Sequence, residues 1–319
     1  MTIIRPQYFL GVDGGQSSTT ALVGDESGRV LGGGRGGPCN HVGAAEGRAK
    51  FIGAITTSVA AAREQAGLAH VRFASACLGF SGGPADKEAI LREILPADRM
   101  IVTDDALIAL AGATDAQPGL IVIAGTGSIA FGRNAAGKAA RAGGWGYIYG
   151  DEGAGFDLTR QALRAALRFE EGWGPPTALR EKLLAASASR DANELLHRFY
   201  TTEFTRSQIA SFSKLVDDTA REGDMLALEI LRNAAQQLAV LAGAVRAQLF
   251  EPGEPARVAP TGGVFRSEAL AGHFRLLIEL EEANHYGPPV YGPAAGALLE
   301  AYRAAGLSCA LINAPKFEK

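Results

Sequence analysis

Cysteine is scarce in this chain: Cys39, Cys77 and Cys309 are the three, and no two of them form a CxxC pair. A zinc site, an iron–sulfur cluster and a thioredoxin-like motif all need clustered thiols, so none is expected. The three read as buried free thiols of a reducing compartment. An excess of basic residues is also missing. Lys and Arg total 31 against 34 Asp and Glu, for a net charge of -3 and a pI near 6.0. Such a balance offers no cationic field to a phosphate backbone, and nucleic acid is not an expected partner. No apolar stretch reaches 18 residues, and only Arg5 precedes the short apolar run that ends at Asp13. Neither a membrane span nor a signal peptide is expected, which reads as a soluble, cytoplasmic protein with no membrane partner.

Glycine, in contrast, is abundant, with 41 in 319 residues, about twice the usual share. Many tight turns are implied. A chain of 319 residues and 33.2 kDa makes roughly two domains, each long enough to bury its own core. The apolar run Tyr8 to Val12, closed by Asp13, reads as a buried strand and is followed by Gly14-Gly15-Gln16-Ser17-Ser18-Thr19. Strands over Thr20 to Val23 and Arg29 to Leu31 flank a turn at Asp25 to Gly28. An Ala-rich helix over 45–66, a strand over Val71 to Leu78, a helix over Asp86 to Leu95, a strand over Met100 to Thr103 and a helix from near Asp105 complete a βββαβαβα order. At Leu120 the pattern restarts, with a strand to Ala124, the turn Gly125-Thr126-Gly127-Ser128, a strand from Ile129 to Gly132 and a turn at Asn134 to Gly137. The glycine-to-glycine intervals, Gly14 to Gly28 and Gly125 to Gly137, suggest an internal duplication although the residues hardly repeat. Residues 156–250 read as largely helical, ending in an apolar stripe at Leu231, Ala234, Leu238, Leu241, Val245 and Leu249 that belongs to a core. A strand over Arg257 to Ala259, a helix over Ser267 to about Leu280 and a last helix over Pro293 to Ala305 follow.

Three glycine turns follow three strands: Asp13 to Thr19, Gly125 to Ser128, and Thr261-Gly262-Gly263-Val264-Phe265. Glycine lets backbone approach an oxyanion, and N–H groups with Ser or Thr hydroxyls can then donate to phosphate oxygens. The first turn has neither the GxGxxG nor the GxxxxGK[ST] spacing, so the Rossmann and Walker readings fail there. Asp104 and Asp105 stand where a strand meets a helix. One acid there can cap the helix while the other faces a cleft as a general base. The run Gly143-Gly144-Trp145-Gly146-Tyr147, then Gly150-Asp151-Glu152-Gly153, combines an aromatic with acids, a composition suited to the apolar face and the hydroxyls of a sugar. The plainer alternative is a tryptophan packed in a loop beside a helix-capping aspartate.

Asp13-Gly14-Gly15, Asn40-His41, Asp105-Ala106, Ile123 to Ser128 and above all Gly143 to Gly146 with Gly150 to Gly153 resemble the N-acetylglucosamine kinase and BadF/BadG/BcrA/BcrD ATPase family. That family belongs to the actin, sugar kinase and Hsp70 superfamily, and the resemblance spans residues 8 to about 300. It implies an α/β fold of two ribonuclease-H-like, actin-like ATPase lobes, each with a mixed sheet, and an interlobe cleft closing over ATP and sugar. Residues 1–117 would form the first lobe and 118–319 the second, with extra helices in the second and a last helix free to pack back on the first.

By the same resemblance Asp105 would be the base that deprotonates a sugar 6-hydroxyl. Asn40, Ser128, Gly144, Trp145 and Asp151 would line the sugar beside Asp105. Gly14, Gly15, Ser17, Thr126, Gly262, Gly263 and Ser267 would hold ATP, and Asp13 would organise Mg2+ through water. Asp104 beside Asp105 leaves the base open between the two. The implied activity is that of an ATP-dependent hexosamine kinase acting on N-acetylglucosamine or glucosamine, with muramic-type sugars open and a homodimer as the common assembly. Two alternatives differ in class. A partner-coupled ATPase of the BadF/BcrA activator type would need cysteines for a cluster, which the spacing here does not supply. A catalytically silent sugar sensor would have lost its base, and here the candidate base, three phosphate turns and the sugar block are all present.

Overall fold

The computed structural model describes residues 6–15, 17–39, 45–81, 87–201 and 203–315. The chain divides into two compact units, Met1–Gln117 with Pro289–Lys319, and Pro118–Pro288. Unit 1 holds β1 (Tyr8–Gly14), β2 (Thr19–Asp25), β3 (Val30–Gly36), α1 (Ala45–Gln65), β4 (Phe73–Phe80), α2 (Glu88–Ile94), β5 (Ala97–Asp104) and α3 (Asp105–Ala113), together with the carboxyl-terminal helix Pro293–Ala304. Its sheet runs β3-β2-β1-β4-β5, antiparallel across the first two junctions and parallel across the last two.

Alternation along the strands gives this sheet two buried faces. Leu10 and Val12 point with Phe51 and Ile55 of α1 into one core. Phe9 points the other way, with Leu22, Ile108 of α3, and Leu298 and Tyr302 of the carboxyl-terminal helix. The second core depends on backbone proximity. A Cβ on Gly296 would lie 1.9 Å from the Ile108 carbonyl oxygen and 2.3 Å from the Gly112 amide nitrogen, so this helix meets α3 at a distance only glycine permits. The carboxyl-terminal segment is thereby part of unit 1, although it follows unit 2 in the chain.

Unit 2 holds β6 (Gly119–Ala124), β7 (Ser128–Arg133), β8 (Ala139–Gly143), α4 (Gly155–Glu170), α5 (Leu179–Ser187), α6 (Ala192–Tyr200), α7 (Arg206–Ser211), α8 (Ser213–Arg221), α9 (Met225–Leu249), β9 (Ala256–Thr261), α10 (Glu268–Ile278) and β10 (Asn284–Tyr286). The sheet order β8-β7-β6-β9-β10, again with two antiparallel and two parallel junctions, repeats that of unit 1. The repeated topology is that of two ribonuclease-H-like lobes. Leu120 and Val122 of β6 pack with Leu231, Ala234, Leu238, Val245 and Leu249 of α9 and with Phe274 of α10. Leu241 is only partly buried and lies over Gly143. Helix starts follow side-chain caps: Thr205 and Gln208 form a capping box on α7, and Asp224 accepts the Ala227 amide at 3.0 Å to start α9. Among the described residues no helix is long and apolar enough to cross a membrane.

The Gly296 contact yields a stability prediction. Gly296→Ala should cost about 3 kcal/mol or more, because the methyl meets backbone that cannot swing away. In contrast, Gly53→Ala in α1, where a Cβ meets nothing within 4 Å, should gain up to about 1 kcal/mol through helix propensity. Urea midpoints of the two variants check both signs, and equal effects would discount the packing account.

Candidate active site

In unit 1 the site is assembled by strand register. Asp13 of β1 is level with Gly79 of β4, and Gly79 with Thr103 of β5. One residue further on, Gly14, Phe80 and Asp104 end their strands together. Asp13, Ser81 and Asp105 are thereby gathered at the carboxyl ends of three parallel strands, the edge where open α/β sheets present ligand sites. The two neighbouring acids are separated by their hydrogen bonds. Asp104 has extended backbone (φ -82°, ψ 162°), and its Oδ1 accepts the Leu107 amide at 2.8 Å, so its carboxylate is committed to capping α3. Asp105, the first residue of α3, instead has its Oδ2 held at 2.6 Å by the Ser81 hydroxyl.

Asp13 is the electrostatically unusual group here. Burial, and second to it the negative charge of Asp105, push its carboxyl up from 3.8 to about 6. Two carboxylates held near each other, one of them poorly solvated, form a place that favours a cation. Their hard oxygens suit Mg2+, which is bound through one or two carboxylates with waters and phosphates. Among the described residues there is no cluster of three or more His, Cys, Asp or Glu to cage a metal fully. Gly14 and Gly15 lead from β1 into the first turn, closed by the Gly15 amide donating to the Ser18 carbonyl at 3.0 Å, and Ser17 is exposed on that turn. Below it, Thr19 lies 3.0 Å from the buried Cys39 thiol. Asn40 lies outside the described residues.

In unit 2 a second cluster forms around a buried acid. Asp151 is 3% exposed and has φ 64°, a left-handed conformation rare for a non-glycine residue. It is held there from two sides. Oδ1 accepts the Ser128 amide at 3.1 Å, and Oδ2 accepts from the Arg206 guanidinium, which also lies 5.2 Å from the Tyr147 ring centre. The carboxylate sits directly under the second turn, where a Cβ on Gly127 would lie 2.6 Å from Oδ2. Ser128 donates its hydroxyl to the Glu152 carbonyl at 2.7 Å and accepts the Gly144 amide on its own carbonyl at 2.9 Å. Ser128, Gly144 and Asp151, predicted to share a function, are thus joined by hydrogen bonds.

Trp145 is neither packed in the loop nor capped over. It is 67% exposed, with the Arg141 guanidinium 5.0 Å from its ring centre. Thr126 lies at the tip of the same turn, its carbonyl taking the Phe156 amide at 3.4 Å.

The third turn abuts the end of β6. Gly262, with φ 101°, approaches the Ala124 carbonyl, Gly263 opens a 3-10 turn to Arg266, and Ser267 caps α10 by accepting the Leu270 amide at 3.3 Å. Gly263 and Ser267 line a cavity of about 220 Å³ together with Lys214, Asp217 and Arg221 of α8. Positions in these clusters that were not singled out in the sequence include Ser81 and Arg206. Ser81 carried a signal, since Ser81-Gly82-Gly83 follows a strand as the other turns do. Arg206 carried none, because it reaches Asp151 from the helical segment 55 residues further along the chain.

Comparison with known proteins decides the family. The BadF/BadG/BcrA/BcrD ATPase family model matches residues 10–301. The chain belongs to that family. It is 31% identical over 280 residues to an N-acetylmuramic acid/N-acetylglucosamine kinase of Clostridium acetobutylicum, covering 86% of this chain and 91% of that protein. It is 30% identical over 246 residues to an N-acetyl-D-glucosamine kinase of Dictyostelium discoideum, covering 73% and 77%. Among solved structures, a candidate N-acetylglucosamine kinase of Chromobacterium violaceum superposes with a TM-score of 0.71 at 30% identity, covering 92% of this chain and 98% of that one.

The raised pKa of Asp13 sets a pH-dependent stability. The folded state binds the proton more tightly than the unfolded chain, so this group's contribution falls as pH rises from about 4 to about 6 and stays unfavourable above that. In metal-free buffer at pH 7.5, Asp13→Asn should raise stability by on the order of 2 kcal/mol, and at pH 3.5 it should gain little. Chemical denaturation at the two pH values checks this, and an equal gain at both would refute it.

Proposed function

We propose that this chain transfers the γ-phosphoryl group of ATP to the 6-hydroxyl of an amino sugar, N-acetylglucosamine or glucosamine. The coarser statement, an ATP-dependent sugar kinase of the BadF/BadG/BcrA/BcrD family, rests on the relatives, whose names carry that activity over most of this chain. The finer reading rests on one observation: of two adjacent acids, Asp104 caps a helix, and Asp105 is held by Ser81 near Asp13.

In this reading Ser81 donates to Asp105 Oδ2 and turns Oδ1 toward the substrate hydroxyl. Oδ1 accepts that proton as the sugar oxygen bonds to the γ-phosphorus and the bond to the ADP oxygen breaks. Phosphoryl transfer demands chiefly positioning and charge neutralisation, so one base and an amide cradle suffice. Mg2+, when bound, neutralises phosphate charge, and Asp13 would hold it through water. Gly14, Gly15, Ser17 and Thr126 hold phosphate oxygens, and Gly262, Gly263 and Ser267 hold the nucleotide at the cavity beside α8. Ser128, Gly144 and Asp151 take sugar hydroxyls, Trp145 offers a stacking face, and Asn40 joins them by resemblance. Arg206 and the Ser128 amide position Asp151. The assembly proposed is a homodimer, which light scattering would read. The partner-coupled alternative gains no support: Cys39 and Cys77 are buried, Cys309 alone of the three is partly exposed, and their spacing supplies no cluster motif.

ADP release with MgATP over a panel of glucosamine, N-acetylglucosamine, N-acetylmannosamine, N-acetylmuramic acid, glucose and no sugar tests the reading. One strongly stimulating amino sugar is expected, and sugar-independent hydrolysis alone would overturn it. Asp105→Asn should lower kcat by about 10² to 10⁴, with the ATP KM and the melting temperature near wild type. Asp104→Ala should do the reverse, costing about 1 kcal/mol of stability through the lost cap while turnover stays within a few-fold. Exchange of the two phenotypes would assign the base to Asp104.

A further inference from the structure

The segment from Gly143 to Gly150 carries Trp145, Ile148 and Tyr149, which are 67%, 66% and 85% exposed. It therefore buries little apolar surface of its own. Gly144 and Gly146 take left-handed backbone there, with φ of 74° and 82°, a conformation that glycine enters and leaves at little cost. The hydrogen bonds within the segment are short-range: the Gly150 and Tyr149 amides both donate to the Gly146 carbonyl, at 2.8 and 3.2 Å. A stretch of this kind, left to itself, would lose conformational entropy whenever a ligand ordered it.

Two helices fasten it, and both attachments pass through Tyr147. The Tyr147 ring stands 4.8 Å from the ring of Phe156 of α4 and 5.2 Å from the Arg206 guanidinium of α7. The Tyr147 carbonyl accepts Arg160 Nη1 of α4 at 3.3 Å. Each arginine is anchored in turn on a buried acid. Arg206 bonds Asp151, and Arg160 donates through Nη2 to Asp157 Oδ1 at 2.6 Å. Asp157 is 7% exposed and accepts the Gly153 amide on Oδ2 at 3.1 Å, so it also secures the turn that carries Asp151. A guanidinium is planar with its donors in a rigid fork, so fixing one arm on a carboxylate sets the direction of the rest. Tyr147 is thus gripped by the ring on one side and by the carbonyl on the other.

We propose that Tyr147 and Arg160 are positioning residues for the sugar: they clamp this segment to α4 and α7, so that Trp145 stands in place before the sugar arrives. The role given to Trp145 rests on the kinase reading above; the clamp itself does not. A stacking face contributes alike to the ground state and the transition state, so loosening it weakens sugar binding and leaves the chemical step alone. Asp105 and the nucleotide residues Gly262, Gly263 and Ser267 belong to other stretches of chain, and neither kcat nor the ATP KM should follow. Arg206 is left unchanged in the test, because it also supports Asp151.

The test combines kinetics with fluorescence on the full chain. Tyr147→Leu removes the gripped ring, Arg160→Met removes the donor to the carbonyl while keeping an unbranched stem, and Tyr147→Phe keeps both grips. In the first two the sugar KM should rise about five- to tenfold, with kcat and the ATP KM within about twofold, and Tyr147→Phe should restore the wild-type sugar KM. Trp145 and Trp173 are the two tryptophans of the chain, so in a Trp173→Phe background Trp145 is the single emitter. Its steady-state anisotropy, read without sugar or ATP, should fall in Tyr147→Leu and Arg160→Met and stay at the background value in Tyr147→Phe. Unchanged anisotropy in both disruptive variants would overturn the clamp. A fall in anisotropy with an unmoved sugar KM, a fall in kcat alone, or equal rises in the sugar and ATP KM would overturn the positioning role. A fall in anisotropy in a chain that phosphorylates no sugar would sink the kinase reading and leave the clamp standing, whereas phosphorylation with an unmoved anisotropy would sink the clamp alone.

Discussion

Two carboxylates that repel each other, Asp13 and Asp105, are held at the ends of β1 and β5, the two strands that flank β4, and the function proposed for unit 1 depends on that enforced closeness. What enforces it is parallel register. β1, β4 and β5 end level, and α3 begins directly after β5, so the first helical residue stands at the same sheet edge as Asp13, with the end of β4 between them. Burial then makes Asp13 hard to ionise alone, and a cation relieves both the desolvation and the repulsion. The Mg2+ role proposed for Asp13 rests on these unfavourable electrostatics, which the two cores of unit 1 offset.

Unit 2 solves a different problem with the same sheet order. Its turn after β6 has no second acid from a parallel neighbour, but a single buried carboxylate, Asp151, supports it from below. The left-handed backbone of Asp151 is tolerated because an amide and a guanidinium both hold the side chain. The arginine comes from α7, which gives the helical insertion a part in the site beyond bulk. The two units thus share a sheet order while the residues at the strand ends differ.

Much of this organisation was legible in the sequence. The buried runs at Tyr8 to Asp13 and Leu120 to Ala124, the glycine turns after them and the heptad-like stripe of α9 all follow from local period and turn chemistry, and each has its counterpart in the fold. The ambiguity between Asp104 and Asp105 was also visible, but their different hydrogen-bond partners were not, since both fit a helix start. β8 and β10 were missed for a physical reason: Ala139 to Gly143 and Asn284 to Tyr286 are short edge segments, defined by pairing rather than by their own apolar pattern.

Sequence alone determined the features that depend on neighbours along the chain: which runs are strands, where glycine turns interrupt them, which helices carry an apolar face, and which family the sugar block belongs to. Tertiary structure decided the features that depend on partners far away in sequence. Ser81 bonds Asp105, Arg206 supports Asp151 across 55 residues, and the carboxyl-terminal helix closes unit 1 through Gly296. Local propensity acts over a turn or two of chain, whereas hydrogen bonds, close packing and burial act through space, so the choice between chemically equal residues waits for the fold.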